Sequence, residues 1–280
     1  MINYYLLTKP GILMGNLFTL AAGFLLGSRG TIDIGLFLAT LLGLGFVMAS
    51  GCVFNNYIDR AVDLKMERTK KRALVLGVIS GPNAILYASV LGILGAVTLF
   101  AFTNMLALAL AAVGFFVYVV IYSYWKCHTV YGTAIGSISG AVPPVVGYCA
   151  ASDQFDIAAV ILFAIMVLWQ MPHFFSIALH HLEDYTRGGI PVLPVSRGIY
   201  RTKIHTIVYI ICFIPTVMML TYFGYTGTPF LVISGSFGFL WLALALKGFS
   251  CDDDRKWGQQ MFVLSLVVIG VICVTIPFDS

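Results

Sequence analysis

Apolar stretches of about 20 residues recur along the whole chain and are separated by short polar segments. A helix of that length crosses the ~30 Å hydrocarbon core of a bilayer. The pattern therefore predicts one all-α transmembrane domain covering residues 1–280, with nine membrane-spanning helices. These are expected at about 10–28, 34–56, 82–102, 105–123, 131–150, 157–179, 204–223, 228–247 and 259–277. Only Thr103 and Asn104 separate the third from the fourth, which makes that boundary the most weakly marked.

Composition and charge placement agree with this fold class. Hydrophobic residues make up 60% of the chain and charged residues only 10%, against roughly a quarter in soluble domains. When nine spans are threaded, fifteen of the 16 Lys and Arg residues fall on one side and Arg29 alone on the other. Because positive loops stay in the cytoplasm, we expect the amino terminus inside and the carboxyl terminus outside. The net charge of +4 is then a topological feature, and no nucleic-acid binding is predicted.

The connections between spans indicate where function lies. Three cytoplasmic connections, about 57–81, 124–130 and 180–203, are long or rich in ionisable residues, whereas the outward connections are short. We expect them to cap an active site that faces the cytoplasm. The first span begins close to Met1 without a cleavable signal pattern, which favours a bacterial inner membrane. The six cysteines are dispersed without a CxxC pair, so neither a disulfide framework nor a zinc site is predicted.

Asn55, Asp59 and Asp63 follow one another at intervals of four residues where the second apolar run ends. On a helix, this spacing places one amide and two carboxylates on the same face. Like charges there repel, and ionisable groups at the edge of hydrocarbon are costly. A divalent cation would remove both penalties, and oxygen ligands favour magnesium, which prefers few carboxylates plus substrate phosphates. The motif predicts a magnesium–diphosphate site; the alternative is a polar helix end that meets water.

A basic cluster, RTKKR at 68–72, follows the acidic residues directly. Guanidinium groups bind phosphate oxygens in bidentate fashion, and a departing diphosphate needs its charge neutralised. Arg68 and Arg72, one helical turn apart, are therefore predicted to act in catalysis with Asp59 and Asp63. Lys126, in the next charged connection, is predicted to contact the same anion. The alternative is that these basic residues only set the topology.

Further polar residues lie near the ends of spans or within them. His180 and Asp184 are again four residues apart and could complete a second metal or diphosphate contact, or could be an exposed helix end. Tyr185 would orient Asp184 or the substrate. His173 and Asn16 lie inside spans, where polar side chains are functional candidates. The alternatives are a hydrogen-bonded packing histidine and a helix–helix hydrogen bond.

The segment that forms the fifth predicted span combines glycines with a proline pair. Gly132, Gly136 and Gly140 are four residues apart, a spacing that lets another helix approach closely. Pro143 and Pro144 then interrupt the helical hydrogen bonds and are expected to bend the span.

Several sequence blocks resemble the UbiA superfamily of intramembrane prenyltransferases, and within it the branch that modifies heme. The acidic motif has the form NxxxDxxxD after the second span and is followed by RTKKR. The further blocks are KPGILMGN at 9–16, ASGCVFNNYIDRAVDLKMERT at 49–69, SGAVPPVVGY at 139–148, WQMPHF at 169–174 and DYTRGGIPVLPV at 184–195. The resemblance covers residues 9 to about 200, and the last three spans match only in hydropathy.

The resemblance implies nine helices around a central cavity that opens to lipid. It implies transfer of a farnesyl group from farnesyl diphosphate to the vinyl group of heme B, giving heme O and diphosphate. By position, the Asn55, Asp59 and Asp63 side chains would hold Mg²⁺ on the diphosphate, and two arginines of the basic cluster would bind its oxygens. His173 would contact heme, and aromatic faces would stabilise a carbocation. The candidates for that stabilisation are Tyr118, Tyr122 and Trp169.

One departure from the superfamily pattern bears on the second metal. Many aromatic prenyltransferases of the superfamily carry a second DxxxD motif, where this chain has HHLEDYT at 180–186. The difference favours the heme-modifying branch and leaves His180 and Asp184 as the nearest candidates for metal ligands. Candidate partners implied by the resemblance are the lipid bilayer and the enzymes of heme A synthesis or terminal-oxidase assembly.

Two competing functions remain at this point. A related enzyme could prenylate a quinone precursor such as 4-hydroxybenzoate with the same acidic site. A transporter could instead use intramembrane acids to bind coupling ions. Against the transporter, the charged clusters occupy helix ends on one side of the membrane.

Overall fold

The structure is a computed structural model that describes residues 2–279, and over that range it contains helices and no β-strand. Nine of its helical segments are long and apolar enough to cross a membrane, which confirms the number read from hydropathy. Their bounds are Pro10–Ser28, Ile34–Asp63, Gly81–Phe102, Met105–Trp125, Gly132–Ser152, Ile157–His180, Ile199–Tyr222, Thr228–Ser250 and Asp254–Asp279. The described chain is an all-α integral membrane protein.

We number the helices in chain order. They are α1 Ile2–Leu7, α2 Pro10–Ser28, α3 Ile34–Asp63, α4 Gly81–Phe102, α5 Met105–Phe116, α6 Ser123–Trp125, α7 Gly132–Gly140, α8 Val142–Ser152, α9 Ile157–His180, α10 Leu182–Gly188, α11 Leu193–Arg197, α12 Ile199–Tyr222, α13 Thr228–Lys247 and α14 Asp254–Asp279. A π-helical turn, Val117–Tyr122, joins α5 to α6, and the three together form the fourth span. Helices α7 and α8 form the fifth span, and the break between them precedes Pro143.

Several helices extend further than the apolar runs. Helix α3 continues beyond residue 56 to Asp63, and α12 and α14 begin at Ile199 and Asp254, about one turn before the predicted starts. Hydropathy marks only the part of a helix that lies in hydrocarbon, whereas the helical hydrogen bonds continue into the polar region. The acidic motif is therefore helical throughout.

The weakly marked boundary at Thr103 and Asn104 separates two helices: α4 ends at Phe102 and α5 begins at Met105. The Asn104 side chain accepts a hydrogen bond from the N–H of Ala107 (2.8 Å) and so caps the start of α5. Its amide also donates to the carbonyl oxygen of Cys149 (2.8 Å), which ties this turn to α8.

The two largest of four buried apolar clusters within residues 2–279 hold most of the bundle together. One joins α2, α3, α4, α5 and α8 around side chains such as Leu20, Phe24 and Leu99. The other joins α9, α12, α13 and α14 around Phe213 and Trp241, whose rings meet edge to face. The first cluster matters most for the site, because it fixes α3 beside the fourth span.

Helices α2 and α8 approach each other closely at glycines that the sequence analysis did not single out. A Cβ atom at Gly23 would lie 2.0 Å from the carbonyl oxygen of Pro144, and one at Gly147 would lie 2.1 Å from that of Leu20. Only glycine allows main chains to pack at this distance.

Replacing Gly23 with alanine is expected to destabilise the protein by about 3 kcal/mol, because the added methyl group meets main-chain atoms that cannot rotate away. Gly15→Ala in the same helix is the matched control, since a Cβ there meets no atom within 4 Å. Unfolding of both variants in detergent measures the difference. Equal unfolding temperatures would contradict the close packing of α2 on α8.

Candidate active site

The side chains of Asn55, Asp59 and Asp63 lie buried on one face at the end of α3. No Gly or Pro interrupts the chain from residue 52 to 63, so the helix continues and the four-residue spacing aligns the three side chains. Three segments lie at this end of the bundle: the loops 64–80 and 126–131 and the segment 181–198. We call this end the charged end.

The two carboxylates of the motif are each paired with a cation from another segment. Lys126, just after α6, forms an ion pair with Asp59 through its Nζ atom. Nη1 of Arg72, in the loop 64–80, lies 2.6 Å from Oδ2 of Asp63. Buried carboxylates need such partners, because an uncompensated charge is strongly destabilising. The structure thus brings two of the three predicted basic residues, Lys126 and Arg72, directly to the acidic face, whereas the Arg68 side chain pairs with none of the three α3 side chains.

Lys9 supplies a third cation, which the sequence analysis treats only as a topological charge. Its Nζ donates to Oδ1 of Asn55 (2.6 Å), and burial lowers the pKa of Lys9 to about 8. The backbone of Lys9 is left-handed, with φ of 52°, which is uncommon for a residue other than glycine and typical of functional sites. The sequence signal was the pair Lys9–Pro10, because Pro10 begins α2 and forces the chain to turn there.

The oxygen ligands of α3 fit a hard divalent cation. Among residues 2–279, no three His, Cys, Asp or Glu side chains converge on one point, and the ligand atoms that α3 offers are oxygens, which suit hard cations. One amide and two carboxylates leave several coordination positions for water and phosphate oxygens. That is the arrangement that magnesium prefers.

Asp184 ties the loop 64–80 to α10. Its Oδ1 accepts the N–H of Glu67 and its Oδ2 accepts the N–H of Arg68, both at 3.2 Å. These bonds hold Arg68 close to Tyr185, whose pKa is raised by burial and lowered in part by the Arg68 charge. The loop 64–80 and α10 therefore lie side by side, with Asp184 bound to the loop main chain.

The metal role predicted for His180 and Asp184 stays a prediction. Both carboxylate oxygens of Asp184 already accept backbone N–H groups. His180 is directed elsewhere, with Nδ1 3.5 Å from the carbonyl oxygen of Arg255 on α14. Metal binding by this pair would require both side chains to exchange their present partners.

The fourth span presents aromatic rings next to the acidic face. The rings of Tyr118 and Tyr122 are stacked, with centroids 5.6 Å apart and planes inclined by 10°. Nζ of Lys126 lies 5.2 Å from the centroid of Tyr122 while it pairs with Asp59. The fourth span therefore places a pair of stacked rings beside the charged side chains of the acidic face, and a role of these rings in stabilising a carbocation stays a prediction.

His173 belongs to a hydrogen-bonded aromatic cluster between α9 and α14. Its Nδ1 lies 2.7 Å from Oγ of Ser265, and its ring stacks on Trp169 with centroids 4.6 Å apart. Nε1 of Trp169 donates to the carbonyl oxygen of Ser265 (2.7 Å). This environment satisfies the packing alternative for His173, and contact with heme stays a prediction.

Asn16 does not make the helix–helix hydrogen bond considered from sequence, and its contact with substrate stays a prediction. Its amide donates to the carbonyl oxygen of Ile12 (2.8 Å) within α2. That bond lies inside one helix, so it does not join two helices.

Comparison with known proteins agrees with the geometry. The sequence pattern of the UbiA prenyltransferase family matches residues 16–267. Proteins called protoheme IX farnesyltransferase are 56% identical in Protochlamydia amoebophila, over 100% of this chain and 99% of theirs, and 53% identical in Sodalis glossinidius, over 100% and 95%.

Solved structures share the fold at low sequence identity. A digeranylgeranylglyceryl phosphate synthase superimposes with a TM-score of 0.82 at 18% identity, covering 99% of this chain and 96% of that one. A UbiA homolog from Archaeoglobus fulgidus bound to GPP and Mg²⁺ gives a TM-score of 0.71 at 18% identity, covering 98% and 99%. The resemblance read from the motifs is confirmed, and the chain belongs to the UbiA prenyltransferase family.

Proposed function

We propose that this protein transfers the farnesyl group of farnesyl diphosphate to the vinyl group of heme B, forming heme O and diphosphate. The full-length identity to proteins called protoheme IX farnesyltransferase supports the substrates. The observation that carries the chemistry is the buried α3 face, where each of three oxygen-bearing side chains is paired with a cation.

The balance of charge at this face suits a diphosphate. Three cations, Lys9, Lys126 and Arg72, face only two carboxylates, so the face carries excess positive charge. Arg68 adds a fourth cation from the same loop. When a diphosphate binds, these cations can pair with its oxygens instead of with the α3 side chains. The α3 side chains then become free to bind a metal ion.

Magnesium fits the ligands so freed. Asn55, Asp59 and Asp63 would hold it, and when bound it neutralises charge on the leaving diphosphate. A UbiA homolog of the same fold has been solved bound to both GPP and Mg²⁺. The lysines and arginines stabilise the remaining phosphate oxygens as the allylic C–O bond breaks.

The hydrogen bonds of His173 leave one nitrogen suited to a metal-bearing substrate. The Ser265 hydroxyl donates to the carbonyl oxygen of Phe262 (2.5 Å), so its oxygen accepts from the Nδ1–H of His173. In a neutral imidazole the lone pair then resides on Nε2. Histidines that bind metal commonly donate their other ring N–H to an oxygen acceptor, which fixes the tautomer in this way. We assign His173 to the heme iron.

The remaining chemistry needs no protein nucleophile. Cleavage of the C–O bond leaves a farnesyl carbocation and diphosphate; the rings of Tyr118 and Tyr122 stabilise positive charge, and apolar walls exclude water from it. The vinyl group of heme B donates its electron pair to that carbon. Water adds to the resulting cation on the porphyrin side and loses a proton, which gives the hydroxyethylfarnesyl group.

The charged end is proposed to face the cytoplasm of a bacterium, with the protein in its inner membrane. Fifteen of the 16 basic residues belong to this side, and positive loops are retained there. Both substrates would then enter from the cytoplasm or laterally from lipid. Heme A synthesis and terminal-oxidase assembly are the processes that would consume the product.

The decisive experiment incubates purified protein with heme B, farnesyl diphosphate and Mg²⁺, followed by mass analysis of the heme and an assay for diphosphate. We expect a heme enlarged by one farnesyl and one hydroxyl group, with an equal amount of diphosphate. Chelation of the metal with EDTA should stop both, and added Mg²⁺ should restore them. Product formation in EDTA would refute the metal assignment.

The same assay separates the competing functions. Replacing heme B by 4-hydroxybenzoate should give no prenylated product; if it does and heme B does not, the protein acts on quinone precursors. A transporter would release no diphosphate with either acceptor.

A further inference from the structure

We propose that Ser123 is a positioning residue that holds the amide of Asn55 in the orientation required for metal binding. The inference deepens the proposed function and rests on its assignment of Asn55 as a magnesium ligand. Ser123 is the first residue after the π-helical turn of the fourth span, and both side chains are buried.

The hydrogen bonds determine which way the Asn55 amide points. The Ser123 hydroxyl donates to the carbonyl oxygen of Tyr118 (3.1 Å), so its oxygen must accept, and Nδ2 of Asn55 is the donor (3.1 Å). On the other side, Nζ of Lys9 can only donate, so the atom that faces it is Oδ1 (2.6 Å). Two independent partners therefore direct the amide oxygen away from the fourth span.

Only one of these partners remains when diphosphate and metal bind. Lys9 must release Oδ1 before that oxygen can bind a cation. Ser123 contacts the opposite end of the amide and can stay in place. Without it, Asn55 could turn its NH₂ group toward the metal, where a donor repels the cation. Residues that orient a metal ligand commonly do so by a hydrogen bond to the ligand atom that does not bind the metal.

The π-helical turn brings Ser123 to this position. On α3, Gly51, Asn55 and Asp59 follow each other at intervals of four residues. A Cβ at Gly51 would lie 3.2 Å from the Tyr118 ring, Asn55 meets Ser123, and Asp59 meets Lys126. If the fourth span were a regular helix, its contacts with α3 would also repeat every four residues. Because Tyr118 lies opposite Gly51, Tyr122 would then lie opposite Asn55. The widened turn places Ser123 there instead.

Two further contacts support this reading of the turn. A serine hydroxyl in a regular helix reaches the carbonyl three or four residues earlier, whereas Ser123 reaches the one five residues earlier, at Tyr118. The displaced Tyr122 ring packs toward α7, where a Cβ at Gly136 would lie only 2.9 Å from it. π-Turns inside helices are frequent at functional sites.

The test measures metal binding directly as well as activity. Mn²⁺, as a substitute for Mg²⁺, is titrated by electron paramagnetic resonance in the presence of an unreactive farnesyl thiolodiphosphate. Ser123→Ala is expected to weaken Mn²⁺ binding about tenfold and to raise the Mg²⁺ concentration for half-maximal rate equally. The rate at saturating Mg²⁺ should change little. Ser123→Thr, which keeps the hydroxyl, should restore binding.

Two comparisons separate positioning from a structural effect. Ser137→Ala is the matched control, because that buried hydroxyl donates only to Ala134 in its own helix, and it should bind Mn²⁺ normally. In an Asn55→Ala background, Ser123→Ala should cause no further loss, since the residue acts through Asn55. If Ser123→Ala unfolds the protein, Ser123→Cys, of similar size but a weak acceptor, should show the same tenfold loss.

The results that overturn the proposal are distinct from those that overturn the proposed function. Normal Mn²⁺ affinity in Ser123→Ala, or an equal loss in the Asn55→Ala background, would refute the positioning role while the wild-type enzyme still makes heme O. Failure of the wild-type protein to make heme O or to bind Mn²⁺ would refute the proposed function itself.

Discussion

Replacement of Asp63 by alanine is expected to lower heme farnesylation at least about a thousandfold, even at saturating Mg²⁺. Asp63 is buried at the end of α3, where it would bind the metal and where Arg72 contacts it at 2.6 Å. Its loss removes a charged ligand and leaves Arg72 without its partner. Asp63→Asn keeps the shape but not the charge and should be equally inactive. Heme analysis by mass spectrometry measures the effect.

Two controls identify the cause of that loss. In the double variant Asp63→Ala/Arg72→Ala, the unpaired arginine is removed; activity should stay absent, whereas recovery would mean that the unpaired arginine, and not the lost carboxylate, caused the defect. Glu67→Gln changes an exposed acid of the same loop, which pairs with Lys70, and should stay near wild-type activity. Recovery in the double variant, or more than a tenth of normal activity in Asp63→Ala, would contradict the metal assignment.

Lys126→Met is expected to lower kcat/KM for farnesyl diphosphate about a hundredfold. The lysine pairs with Asp59 in the absence of substrate, and the proposed exchange transfers it to the diphosphate. Its removal should raise the KM for farnesyl diphosphate. It should also free Asp59, so that less Mg²⁺ is needed for half-maximal rate. The two shifts have opposite directions, and steady-state kinetics at varied metal and substrate concentrations resolves them.

Lys203→Met is a closely matched control. Lys203 pairs with Asp254 and its side chain has the same 10% exposure as that of Lys126. It lies at the start of α12, where it donates to the carbonyl oxygen of Gly248 (2.6 Å), apart from the α3 face. Lys203→Met should lower the stability of the protein but leave unchanged the KM for farnesyl diphosphate and the Mg²⁺ concentration for half-maximal rate. Similar kinetics in the two variants would indicate that Lys126 serves the fold alone.

The fold was largely predictable because the length of an apolar run identifies a membrane-spanning helix. All nine spans were identified from hydropathy, and the break at Thr103 and Asn104 proved real. What hydropathy could not show was where helices continue past the hydrocarbon, as α3 does to Asp63. It also gave no indication of the close α2–α8 contact, although Gly23 and Gly27 are four residues apart in the first span, the spacing that lets another helix approach closely.

The site was predictable where its residues share one helix, and less so where they come from distant segments. The periodicity of Asn55, Asp59 and Asp63 aligned them correctly. Lys9 escaped notice because a basic residue before a first span is an ordinary topology signal. Ser123 escaped because its place opposite Asn55 depends on a π-turn, which shifts the register by one residue without a sequence signature.

The resident cations at the α3 face have a thermodynamic consequence. In the resting protein, Lys9, Lys126 and Arg72 occupy the ligand atoms, so a metal ion arriving alone must compete with them. In the proposed exchange, a diphosphate would draw the cations away and so strengthen metal binding; by linkage, the metal would strengthen diphosphate binding by the same factor. Once the diphosphate departs, the lysines and the arginine would return to these side chains, and the protein without substrate would bind free metal only weakly.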